Sequence, residues 1–200
     1  MPTFANRVAF EDPKSRAKAL GFDLDSRRAI VDPGGRVLAY AQTGGMSAPS
    51  RYELLPAVDI YRFGSAERGT LRVAAGQWWV ERPEFEKLRA FAQTHDLGVG
   101  MAMRLLGLVP PEWSDMTLLV RARVREPLLA LRGLAQSVTV AKDDGGAPVR
   151  LPDQNQISAR RMHQLFIPGL DEDDLARRAL AIEGEFRLSK QEGLRGFLYL

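Results

Sequence analysis

The β-favouring runs of this chain follow one another through turns rather than through helices, and that order excludes most architectures. Residues 29–32, "AIVD", and 37–41, "VLAYA", flank Pro33-Gly34-Gly35, which supplies turn geometry that other residues resist. Residues 118–124 set Leu118, Val120, Ala122 and Val124 against Leu119, Arg121 and Arg123, the alternation of a half-buried strand with one basic face. Residues 143–146, "DDGG", separate two further runs, and residues 159–169, "ARRMHQLFIPG", give another. Pro56 leaves 57–63 as a strand, and 70–80, "TLRVAAGQWWV", is a second candidate with Gly76 as a bulge or close backbone approach. The C-terminal stretch 185–200 reads as two short β segments around Glu192-Gly193.

Helical spacing is confined to four places. Residues 15–24, "SRAKALGFDL", allow a short helix before Gly21. Residues 82–96 place Phe85, Leu88 and Ala92 on one face, with Pro83 in the tolerant first turn. A second helix starts at Asp96, stops at Pro110-Pro111 and buries Met101, Leu105 and Leu108. Asp171 caps a third, with Glu172, Asp173 and Asp174 in its first turn and an apolar stripe of Leu175, Ala179 and Ile182. Strict alternation of strand and helix, which a doubly wound parallel sheet needs, is absent. The expectation is an α+β fold: a mixed, mainly antiparallel sheet or sheets of seven to nine short strands, packed with three or four helices. One domain spans 1–200, with 1–28 as a candidate N-terminal extension and 43–51, "TGGMSAPSR", as a flexible loop.

Composition removes several chemistries. Cysteine is absent, which excludes disulfides, thiol catalysis and thiolate zinc sites. The two histidines, His95 and His163, make no metal-binding spacing, so no metal is expected. His163 falls with the apolar set of its strand, and His95 follows a helix. The excess of 28 basic over 25 acidic residues is small and scattered, so nucleic acid is a weak expectation, carried by Arg121, Arg123 and Arg125. No uncharged run, 97–103 included, reaches the roughly 20 residues of a membrane span. The N-terminus has no signal-peptide core, so the chain is expected in the cytoplasm at synthesis.

Candidate functional residues cluster in 59–81, "DIYRFGSAERGTLRVAAGQWWVE". Arg62 lies among Ile60, Tyr61 and Phe63, and a buried arginine needs an anionic partner. That partner is either an acid of this chain or a ligand phosphate or carboxylate gripped by the guanidinium. Trp78 and Trp79 are neighbours on a strand and point to opposite faces. Either both faces are covered, or one indole stacks on a flat ligand. Glu183 and Glu185 share a side if their segment is extended, and Ser137 and Thr139 alternate in a strand at 136–139, "QSVT".

An arginine on an early strand, a middle strand with alternating hydroxyls and a late Glu-x-Glu resemble the Arg, Ser-Thr-Ser and Glu-x-Glu scheme of the ADP-ribosyltransferase superfamily. The stretch "YRFG…GQWWVERPEFEKLRAFA" is similar to its bacterial toxins. The resemblance implies NAD as substrate, with Arg62 on its phosphates or ribose and Ser137 and Thr139 bracing the site. It further implies Glu185 stabilising an oxocarbenium-like transition state and Glu183 serving a protein acceptor. A toxin or effector of that kind is delivered to another cell. The rival expectation is a protein-interaction module, an inhibitor, immunity protein or antagonist, docking through an exposed tryptophan. A convex aromatic patch supports the module; a concave recess shared by a tryptophan and Arg62 supports NAD.

Overall fold

The computed structural model describes residues 3–22, 28–42, 44–142, 147–172 and 174–189. The turn at 143–146, Asp173 and the segment around Glu192-Gly193 lie outside them. Two short helices open the chain, α1 (Arg7–Glu11) and α2 (Pro13–Ala19), followed by the hairpin β1 (Ala29–Val31) and β2 (Val37–Tyr40). Next come β3 (Met46–Leu54), β4 (Asp59–Gly64), α3 (Thr70–Ala74), β5 (Trp78–Glu81), α4 (Arg82–Thr94) and α5 (Val99–Gly107). Then follow β6 (Leu118–Val124), β7 (Leu128–Ala135), β8 (Val138–Val140), β9 (Val149–Leu151), β10 (His163–Phe166), α6 (Leu175–Ala179) and β11 (Leu180–Arg187).

Seven strands form one sheet in the order β11-β6-β4-β5-β10-β7-β3, with every neighbouring pair antiparallel. The hairpins β1-β2 and β8-β9 stand outside it. The fold is α+β, as the order of turns and runs implies. The alternation of β6 sets the two faces of the sheet. Val120 and Ala122 join Ile60, Trp79 and Leu165 against Val73 of α3 and Leu175 and Ala179 of α6. Leu119 joins Tyr61, Phe63 and Val80 against Phe85 and Leu88 of α4 and Ala102 and Leu106 of α5. Tyr61 stacks on Phe85 with ring centroids 4.1 Å apart. Both faces are therefore covered, and each fully buried aliphatic side chain contributes about 2 kcal/mol.

Several local expectations are corrected. Residues 46–51, read as part of a flexible loop, belong to β3; Thr43 lies outside the described residues. Pro49 cannot donate to a ladder, but β3 is an edge strand with a bulge between Ser47 and Ser50, where that loss is tolerated. Residues 70–74 are helical rather than extended, because Gly69 at φ 75° turns the chain into α3 and leaves β5 only four residues. Asp171 does not cap the third expected helix: α6 starts after Asp174 and ends at Ala179, so Ile182 lies on β11. Short helices at the termini raise the helix number among the described residues above three or four.

The N-terminal segment is tied to the sheet at Asn6. Asn6 is 3% exposed and donates from Nδ2 to the carbonyls of Leu129 (2.8 Å) and Pro168 (2.9 Å), while its Oδ1 accepts from the Leu129 amide at 2.8 Å. One side chain thus ties α1 to β7 and to the loop after β10. Asn6→Ala leaves three backbone groups without that partner. It is expected to cost about 3 kcal/mol, read as a lowered urea midpoint with an unchanged m-value.

Candidate functional site

Strands β4 and β5 pair through Ile60–Glu81 and Tyr61–Val80 and then part. Arg62 occupies the gap. Its Nη1 donates to the Trp78 carbonyl, and its Nε is enclosed without a hydrogen-bond partner among the described residues. No carboxylate of the described residues forms an ion pair with it within 4.0 Å, although Asp171 exerts a weaker attraction at longer range. Burial first and the charge of Arg68 second pull the guanidinium pKa down to about 10. Gly76 makes the arrangement sterically feasible. A Cβ there would lie 1.9 Å from Arg62 Nη2, so the guanidinium rests directly on bare backbone. The close approach expected at Gly76 is present, and its agent is Arg62.

The two tryptophans diverge as strand geometry requires. Trp79 is 2% exposed in the core and donates its Nε1–H to the Gly76 carbonyl at 2.7 Å. Trp78 is half-buried on the other face, edge-on to Phe166 with centroids 5.1 Å apart. It lines a recess of about 430 Å³ between the sheet and α5. Arg62, Tyr61 and Phe63 line the same recess. So do Trp113, 41% exposed on the loop after α5, and Gln164, which donates to the Gly107 carbonyl at 2.9 Å. Lys18 of α2 lies at its rim. Among the described residues, two basic residues and no acidic one line the recess. Its walls are aromatic and aliphatic, the lining expected of a small-molecule site.

The remaining expected residues do not join it. Arg62 pairs with Val120, and Val120 with Glu185, so Arg62 and Glu185 share one rung and one face of the sheet. They stand two strands apart, about 10 Å between backbones, with the fully buried Val120 between them. Glu185 accepts a hydrogen bond from the Thr70 hydroxyl on α3. Glu183 is the extra residue of a bulge between Ile182 and Gly184, so the simple alternation that would pair it with Glu185 is broken. Ser137 bonds Asp153, its Oγ 3.0 Å from Oδ2 and 2.9 Å from the Asp153 amide. Thr139 joins Gln42 through backbone bonds of 2.8 and 3.0 Å. Neither lines the recess, although their neighbours Gln136 and Val138 do.

Comparisons with known proteins place little beside this geometry. No family model matches the chain, and no curated protein matches it. A solved structure of Rhs1-CT in complex with cognate immunity protein RhsI1 contains a similar chain. The identity is 13%, over 78% of this chain and 89% of that one, with a TM-score of 0.43.

Sequence reasoning missed Lys18, Trp113 and Gln164. Gln164 had a signal, a polar residue among the buried positions of its strand. Trp113, after two prolines in a loop, had only its size. The basic face of β6 is largely occupied: Arg123 pairs with Asp59 at 2.9 Å, and Arg121 donates to the Glu183 carbonyl at 3.4 Å. The hydrogen bond to Asp59 raises the Arg123 pKa.

The Gly76–Arg62 contact is testable by a double-mutant cycle. Gly76→Ala is expected to destabilise the wild type by about 2 kcal/mol and to shift the tryptophan emission. In the Arg62→Ala background the same change should cost under about 0.5 kcal/mol, because the atoms it displaces are gone.

Proposed function

We propose that the recess binds NAD and that the chain releases nicotinamide from it, by hydrolysis or by transfer of ADP-ribose to a protein acceptor. The observation that carries the reading is Arg62. It is an enclosed cation with no ion-pair partner among the described residues, one of its N–H groups is unmatched, and it shares a concave recess with Trp78. A ligand phosphate beside the guanidinium would offset the buried charge. A nicotinamide or adenine ring suits the indole face of Trp78. In the reaction the bond between nicotinamide nitrogen and ribose C1′ breaks. The electron pair leaves with nicotinamide, and water or an acceptor nucleophile adds at C1′ and loses a proton. A chain that drains NAD harms the cell holding it, which extends the reading to a toxin or effector. None of the described helices is long and apolar enough to cross a membrane.

The position of Glu185 divides binding from catalysis. NAD added to the purified chain should bind and yield nicotinamide, followed by tryptophan quenching and chromatography. Arg62→Ala is expected to weaken binding about 30-fold and Trp78→Ala about tenfold. Glu185→Gln should leave the affinity within about twofold, since its carboxylate lies outside the recess; its effect on turnover tests the catalytic role the superfamily resemblance implies. A wild-type chain that neither binds nor consumes NAD sinks the proposal.

A second reading, a protein-interaction module, is favoured by the β1-β2 hairpin. Its outer face pairs Val31 with Val37 and Ala29 with Tyr40, and Val31, Val37 and Tyr40 are 47%, 48% and 65% exposed. That is an exposed apolar patch of the kind docking surfaces use. In this case NAD is left intact, and a protein partner held by the wild-type chain is lost from the Val31→Asp/Tyr40→Asp variant.

A further inference from the structure

We propose that Lys18 reads a phosphate of the ligand, so that the recess takes phosphorylated nicotinamide nucleotides in preference to the unphosphorylated riboside; this rests on the NAD reading above. The recess presents two cations of opposite character. Arg62 is enclosed and already committed on one side to the Trp78 carbonyl. Lys18 is half-exposed at the rim and loosely held. Its Nζ lies 3.9 Å from Asp171 Oδ2, the outer limit of an ion pair, and both side chains are about half open to water. Such a pair contributes little to stability and gives up its cation cheaply.

The ammonium is nonetheless placed with respect to the ring site. It stands 6.0 Å from the centroid of Phe166, and Phe166 is edge-on to Trp78 at 5.1 Å. Phe166 and Trp78 are also paired in register across β10 and β5. The Lys18 ammonium and the Trp78 ring therefore flank the same phenylalanine, at 6.0 and 5.1 Å from its centroid. Among the described residues no carboxylate lines the recess, and a phosphate on Lys18 would displace Asp171, whose Oδ2 is 3.9 Å from its Nζ. A flexible ammonium, unlike the rigid fork of Arg62, follows a phosphate by rotamer change. The two roles separate: Arg62 anchors from below and Lys18 selects from the rim.

Titration of the full chain with nicotinamide mononucleotide and with nicotinamide riboside, read by calorimetry and tryptophan quenching, tests this. The wild type is expected to prefer the mononucleotide by at least about tenfold. Lys18→Ala should remove most of that preference while leaving the riboside affinity within about twofold, and Lys18→Arg should keep it. Lys18 is on the surface, and an unchanged circular dichroism spectrum and urea midpoint confirm that the variants fold. A Lys18→Ala variant that keeps the full preference overturns the assignment. So does a wild type that binds both compounds equally, an outcome that leaves the NAD reading standing. A wild type that binds neither compound nor NAD removes the NAD reading and this assignment together.

Discussion

The Arg62 guanidinium lies where two strands stop pairing, and much of the recess follows from it. A pair of β-strands that continued past Tyr61 and Val80 would close the gap and leave no opening beside Trp78. The arginine takes the place of the lost ladder, donating to the Trp78 carbonyl that the missing strand contact would otherwise leave unmatched. Desolvating a cation is costly, and here no carboxylate of the described residues repays it in full. The lowered pKa has that cause. Gly76 contributes by absence, since a methyl group at that position would occupy the space of the guanidinium. On the β4 side the N-terminal end of β5 is thereby held by a side chain, while on the other side β10 pairs with it through Phe166 and Trp78.

The other end of β5 is held by a second polar cluster of different design. Glu81 accepts from Tyr52 at 2.5 Å and from Arg132 Nε at 2.9 Å. Glu84, one turn into α4 and 4% exposed, accepts from Arg132 at 3.3 Å and from Lys87 at 3.0 Å, and meets His163 at 3.3 Å. The hydrogen bond to Glu81 raises the pKa of Tyr52 above its ordinary value. Here each buried carboxylate has more than one donor, so the cost of burial is met inside the chain. This cluster joins β3, β5, β7, β10 and α4, and it fixes where α4 begins. The contrast with Arg62 is informative. The same sheet contains a matched charge cluster at one end of a strand and an unmatched cation at the other, and the unmatched one faces the cavity.

Much of this was legible in residues whose neighbours constrain them. The alternation in β6 placed Val120 and Ala122 opposite Leu119, and the sheet is covered on both faces accordingly. Adjacent tryptophans on a strand had to diverge, and Trp79 entered the core while Trp78 faced the recess. Gly76 was readable as a close approach, but not what approached it. The failures share one cause: local preference was overridden by tertiary context. Pro49 reads as a strand breaker and sits in a strand, because an edge with a bulge does not need its amide. Glu183 and Glu185 read as a pair, and a bulge inserts the residue that breaks their alternation. Trp113 and Lys18 reach the recess from a loop and from α2, and no periodicity in the chain relates them to Arg62.

Charge placement then separates the surfaces of the molecule by what they can bind. On β6 the expected basic stripe is partly engaged, Arg123 by Asp59 and Arg121 by the Glu183 carbonyl. Both edges of the large sheet carry bulges, at 47–50 on β3 and 182–184 on β11, which disfavour addition of a further strand. Glu185, spent on Thr70, lies on the far side of Val120 from Arg62. The recess is left with basic and aromatic residues and no acidic one among the described residues that line it. An anionic ligand with a flat ring fits both halves of that description, whereas a neutral ring would leave the guanidinium unmatched and a bare phosphate would leave the indole face wet. The NAD proposed above would supply both an anion and a flat ring, and that match is independent of which group is catalytic.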